Sequence, residues 1–147
     1  MATLIKHTIV YNCTMNNYSD ILRQHNLKAT PQRLEIANAL YVKGHMSIDH
    51  LYNLMLKKFS SISLATIYKN INLMLEASFI QEVKIPNEKS VYELTKETHS
   101  HIVCDTCGEI MDVELNLDSV ISNAAQSSHY NIKKSDLILL GTCKNCQ

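Results

Sequence analysis

Four cysteines fall in two matching pairs, Cys104-x2-Cys107 and Cys143-x2-Cys146. Two such knuckles bring four soft thiolates within tetrahedral reach of one ion, and Zn²⁺ accepts that arrangement without redox chemistry of its own. Thirty-five residues separate the pairs, more than a finger loop holds, so the ion would tie the last segment of the chain back onto an earlier strand. With sulfur at all four positions, no coordination site stays open for a substrate, which points to a structural role rather than to catalysis. Buried free cysteines are a rival explanation that the repeated spacing argues against, and a thioredoxin-like redox pair would need a βαβ context that is missing. Cys13 stands apart as the odd thiol.

A second constellation lies just ahead of the first: His99-x-His101, with Glu93 upstream and Asp112 downstream. Alternate residues of an extended strand share a face, so both imidazoles can reach one ion. Imidazole and carboxylate together suit Fe²⁺ or Mn²⁺ better than an all-sulfur site does. An H-x-H pair is also a common surface feature, and the spacing alone leaves both readings open.

The elements that must position these groups are punctuated by only three glycines and two prolines. Residues 17–26 suit a short amphipathic helix with Tyr18, Ile21 and Leu22 on one face. Thr30 can then act as N-cap with Pro31 at the first helical position, where its missing N–H costs nothing. That helix carries Ile36, Ala39 and Leu40 at helical spacing and stops near Gly44. Ser47 opens the next, with Ile48, Leu51, Tyr52 and Met55 as its apolar face and Lys57 and Lys58 suited to its C-terminal dipole. Ser63 caps a third, in which Leu64, Ile67, Ile71, Met74 and Leu75 point to a core and Ala65, Thr66, Lys69 and Asn72 point away.

A strand at 79–85, a turn at 86–89 and a strand at 90–94 complete a winged helix-turn-helix pattern, whose third helix would enter the major groove of DNA. β-like runs at 102–104, 109–114 and 137–141 then surround a helical stretch near 117–128. The expected fold class is α+β: an N-terminal winged-helix domain over 1–86, with an extension at 1–16 and wing and hinge reaching about 95, then a small C-terminal α/β domain over 96–147. A module that small needs a staple, and the four cysteines supply one.

The formal net charge of zero hides an asymmetry. Residues 1–86 hold nine Lys and Arg against five Asp and Glu, a net +4, and the remainder holds five against nine, a net −4. A basic half joined to an acidic half fits a DNA-contacting module followed by one that binds cations. No apolar run approaches the ~20 residues that span a bilayer, and the first residues lack a secretory pattern, so the expected compartment is the cytoplasm, where thiols stay reduced.

In order and spacing, Thr30-Pro31-Gln32-Arg33, Ser63-Leu64-Ala65-Thr66-Ile67-Tyr68, Tyr92-Glu93-Leu94-Thr95, His99-x-His101-x2-Cys104-x2-Cys107-Gly108 and Cys143-x2-Cys146 resemble the ferric uptake regulator family, over residues 17–146. The resemblance implies a homodimer that binds a palindromic double-stranded operator through its winged helices and dimerises through C-terminal halves built around structural zinc at Cys104, Cys107, Cys143 and Cys146. It also implies a regulatory site for Fe²⁺ or Mn²⁺ in which His45 joins Glu93, His99, His101 and Asp112, and DNA contacts by Tyr68 and Arg33. Thr66 and Lys69 are added to those contacts from the exposed face of their helix.

Asp112 resembles the peroxide-sensing branch and Glu93 the iron-sensing branch. Ser100 and Ser135 stand where some iron sensors carry ligands of a second ion, which favours one regulatory ion and hence peroxide sensing, with H₂O₂ as signal and iron-catalysed oxidation of His45 or His99 as response. The alternatives are an iron-responsive or zinc-responsive uptake regulator. A zinc-dependent hydrolase built on His99, His101 and Asp112 lies outside the class, and the sequence carries no nucleophile elbow, phosphate loop or HExxH to support it. The chain is therefore expected not to be an enzyme, and to have neither a membrane partner nor a small-molecule substrate.

Overall fold

A computed structural model describes residues 3–4 and 15–147, with side chains from Tyr18 onward. Cys13 and most of the 1–16 extension lie outside the described residues. The chain divides into two compact units, one ending at Lys96 and the other running from Glu97 to Gln147 together with Thr3 and Leu4. The α+β class is as expected.

The first unit opens with four helices, α1 (Met15–Gln24), α2 (Pro31–Lys43), α3 (Ile48–Lys58) and α4 (Leu64–Glu76). The hydroxyls of Thr30, Ser47 and Ser63 accept from the backbone N–H three residues on, so each expected cap is in place at the start of α2, α3 and α4. Gly44, at φ +75°, closes α2 by donating its N–H to the carbonyl of Leu40, a backbone shape glycine adopts without strain. Ser63 should matter measurably: Ser63→Ala is expected to cost about 1 kcal/mol. Urea unfolding followed by circular dichroism would check this, and an unchanged midpoint would mean that the cap is idle.

Leu22, Ile36, Leu40, Leu51, Met55, Ile67, Ile71 and Met74 meet in one buried core. Leu64 is an exception to the expected pattern, being 39% exposed. It sits in the first turn of α4, and Ile62, just before the cap, joins the core instead. Lys58 also does more than face a helix end, since its ammonium lies 2.6 Å from Oε2 of Glu35, a carboxylate buried on α2. Two short antiparallel strands follow, β2 (Ile80–Val83) and β3 (Val91–Leu94), with Gln81 opposite Glu93 and Glu82 opposite Tyr92. β2 starts one residue later than the expected 79–85 because Phe79 turns into the core and its N–H donates to the Met74 carbonyl, and it ends at Val83. The turn between the strands is tethered to the start of α3 by a Lys89–Asp49 ion pair.

The second unit is a four-stranded sheet in the order β1 (Thr3–Leu4), β5 (Ile110–Glu114), β4 (Ser100–Cys104), β6 (Ile138–Gly141). β4 and β5 run antiparallel; β6 returns parallel to β4 after α5 (Asp118–Ser128). β4 begins two residues earlier than the expected 102–104, because His101 is paired on both sides, to Asp112 and to Ile138. Among its described residues, α5 buries none, and Val120 is 62% exposed. No helix among the described residues is long and apolar enough to cross a membrane.

Candidate metal centres and nucleic-acid face

The parallel return of β6 beside β4 explains how distant cysteines meet. Gly141 lies opposite Cys104 in the ladder, and its carbonyl accepts the N–H of Asp105. One step further on, the N–H of Cys143 donates to Sγ of Cys104 at 3.3 Å, and Sγ of Cys107 lies 3.8 Å from Sγ of Cys143. Gly108, at φ +74°, donates to the Cys104 carbonyl and closes the first knuckle. All four sulfurs lie within 4.8 Å of one another. Backbone N–H groups of Cys143, Cys107 and Thr106 bring the Cys104 thiol down to about 6. The sulfurs of Cys143 and Cys107, together with burial, push Cys146 up to about 12. One thiolate is favoured there and further ones are resisted, the behaviour of a cluster that needs a divalent cation before all four sulfurs can carry charge. The donor set fits zinc and offers no fifth group for chemistry.

In the same unit, His99, His101 and Asp112 converge. The register places His101 directly across from Asp112, on one face of the sheet. Nε2 of His99 and Nε2 of His101 are 3.0 Å apart, and Oδ1 of Asp112 lies 3.7 Å and 3.5 Å from them. Nδ1 of His99 lies 2.7 Å from the carbonyl of Glu97. A carbonyl only accepts, so Nδ1 carries a proton, which leaves Nε2 as the nitrogen that a metal would take.

The first unit brings together a pair of its own. Met46 and Tyr92 exchange both backbone hydrogen bonds, at 3.0 and 2.8 Å, joining the α2–α3 linker to β3. Their neighbours His45 and Glu93 are thereby brought together, Nε2 to Oε2 at 3.3 Å. Glu93 is fully buried. Two residues that sequence reasoning passed over hold its carboxylate: Gln81 donates to Oε1 at 2.8 Å, and the Lys96 ammonium lies 2.7 Å from Oε2. The expected turn at 86–89 would set Gln81 opposite Leu94, one residue away from the observed register, so its place across from Glu93 emerges only from the fold. Tyr92 has its hydroxyl pushed up, by burial first and then by Glu82 across the hairpin.

The residues expected at DNA lie around α4. Tyr68 is 47% exposed and Lys69 is exposed, while Thr66 is half-buried with its hydroxyl engaged by Ser63 at 2.9 Å. Arg33, on α2, is anchored: Nε donates to Oδ1 of Asn70 at 3.1 Å and Nη1 to the carbonyl of Lys28 at 3.0 Å. Asn70 in turn donates to the Thr66 carbonyl at 3.0 Å and was not singled out from the sequence. The anchoring fixes the direction of the guanidinium and limits the donors it can give to anything else.

A helical module with a hairpin, followed by a sheet carrying a four-thiolate cluster and a histidine-carboxylate cluster, has the make-up of a metal-binding protein. The ferric uptake regulator family model matches residues 24–140, and the chain belongs to that family, whose members regulate transcription and are not enzymes. It is 30% identical over 128 residues to the peroxide-responsive repressor PerR of Staphylococcus saprophyticus, covering 86% of each chain. The ferric uptake regulator of Vibrio cholerae has a similar structure, with a TM-score of 0.71 at 28% identity over 86% of this chain and 99% of that one. The peroxide stress regulator of Campylobacter jejuni superposes with a TM-score of 0.64 at 34% identity over 86% and 97%. The hydrolase alternative falls with this membership.

Proposed function

We propose that the protein is a cytoplasmic, metal-dependent transcriptional repressor that binds operator DNA as a homodimer and senses peroxide. A structural zinc ion at Cys104, Cys107, Cys143 and Cys146 staples the C-terminal unit. His45, Glu93, His99, His101 and Asp112 form one regulatory site for Fe²⁺ or Mn²⁺. The observation that carries the reading is that each unit gathers its own share of this donor set: His45 with Glu93 in the first, His99 and His101 with Asp112 in the second. Imidazole with carboxylate is the mixture that Fe²⁺ and Mn²⁺ accept. A ligand set drawn from both units makes their relative orientation depend on the ion, so operator affinity follows occupancy through preorganisation.

Dimerisation is supported by the large apolar residues that the second unit leaves exposed, Met111, Val120, Leu139 and Leu140. Operator contact is assigned to Tyr68, Thr66 and Lys69 of α4 with Arg33 beside them, the first half forming the winged helix and residues from about 96 onward the dimerisation domain. Peroxide sensing is supported by Asp112 and by the likeness to the two peroxide-responsive proteins. Bound iron would supply the reaction with H₂O₂; the protein's part is to hold His45 and His99 where they are oxidised.

The test is peptide mass spectrometry of protein loaded with Fe²⁺ or with Mn²⁺, before and after brief low-dose H₂O₂. One added oxygen on His45 or His99, seen only with iron and accompanied by loss of operator binding, is expected. Unmodified histidines with DNA binding that tracks metal concentration would replace peroxide sensing by the iron-responsive reading, which Glu93 favours.

A further inference from the structure

Glu93 is held unlike a carboxylate that simply waits for a metal. It is fully buried on β3, and each oxygen has its own neighbours within the first unit. Oε1 accepts from Gln81 Nε2 at 2.8 Å, across the hairpin. Oε2 lies 2.7 Å from the Lys96 ammonium and 3.3 Å from His45 Nε2. Lys96 follows Glu93 by three residues, and its side chain is only 17% exposed, so the ion pair sits largely out of water.

We infer that Lys96 is a tethered competitor of the regulatory ion for Oε2 of Glu93, and that it sets the metal concentration to which the protein responds. This rests on the reading of Glu93 and His45 as ligands of that ion. The oxygen nearest His45 is the one the ammonium holds. Gln81 keeps Oε1, so the carboxylate cannot turn to offer its other oxygen without losing that bond. A divalent ion bound through His45 and Oε2 must displace the ammonium, and two cations on one buried oxygen repel strongly in a medium that screens poorly. Removing the ammonium takes one positive charge from beside the buried carboxylate and leaves Oε2 open to the metal. Lys96 thus weakens metal binding, holds Glu93 oriented, and lowers the cost of keeping that carboxylate buried when the ion leaves.

The experiment is a Mn²⁺ titration of the zinc-loaded full-length protein, with unbound Mn²⁺ read by electron paramagnetic resonance, for the wild type, Lys96→Met, Lys96→Gln, Lys96→Arg and Glu93→Gln. Tightening of about tenfold or more in both neutral variants, with the arginine variant near wild type, is expected. The two neutral variants guard against a packing effect of either one. If Glu93→Gln weakens Mn²⁺ binding while both neutral variants bind no tighter than wild type, Lys96 is not a competitor and the inference is overturned while the site stands. If Glu93→Gln leaves Mn²⁺ affinity unchanged, the ligand assignment fails and takes the inference with it.

Discussion

Cys107→Ser should abolish stoichiometric zinc and, with it, the cooperative unfolding of the C-terminal unit. The sulfur of Cys107 lies 3.8 Å from that of Cys143, and its residue is exposed, so serine disturbs little packing and the loss is that of a ligand. The unit depends on that ligand more than a larger domain would. α5 buries none of its described residues, and among the described residues the buried apolar side chains of the sheet outside the thiolate cluster are Val103 and Val113. Structural zinc contributes on the order of 10 kcal/mol of folding free energy in small modules, and no core of this size replaces it. Atomic absorption on the purified variant should give well under one zinc per chain, and limited proteolysis should cut the region after Glu97 while leaving the helical unit intact. Full zinc content with unchanged protection would mean that three sulfurs suffice.

How much of this was legible in advance differs between the two clusters for a physical reason. The cysteines announce themselves by local spacing, since a knuckle is made within four residues and the sheet has only to bring two knuckles together. The caps at Thr30, Ser47 and Ser63 were equally readable, because a hydroxyl and the N–H it receives lie three residues apart. His45 was not readable from its surroundings. It stands in a linker, and what brings it beside Glu93 is the Met46–Tyr92 bridge, a backbone pairing between segments some forty-six residues apart that no periodicity reveals. Only likeness to a family singled it out. Lys96 and Asn70 were missed for a related reason: an ion pair at three residues' spacing and a side-chain bond between α2 and α4 become significant only when the partner is known to be buried or functional. Leu64 shows the converse error, where correct helical spacing placed a residue on the core face one turn before the core begins.

Ile71→Ala and Tyr68→Ala, one turn apart on α4, should fail in opposite ways, and that contrast tests the assignment of the helix. Ile71 is 1% exposed among the residues of the helical core. Removing its branched side chain is expected to cost about 3 kcal/mol, from lost burial and from the cavity left behind. Urea unfolding should report that loss, and at temperatures where the fold survives, DNA affinity should change little. Tyr68 is 47% exposed, beside Lys69, which is exposed as well. Tyr68→Ala should leave unfolding, zinc content and dimerisation as they are, and should weaken binding to a duplex selected by the wild-type protein from a random library by roughly tenfold or more, the scale of a lost base contact. Fluorescence anisotropy against that duplex, run beside analytical ultracentrifugation, separates the effects. Parallel loss of stability, dimerisation and DNA binding in Tyr68→Ala would make Tyr68 a packing residue and move the operator contact to another part of the helix.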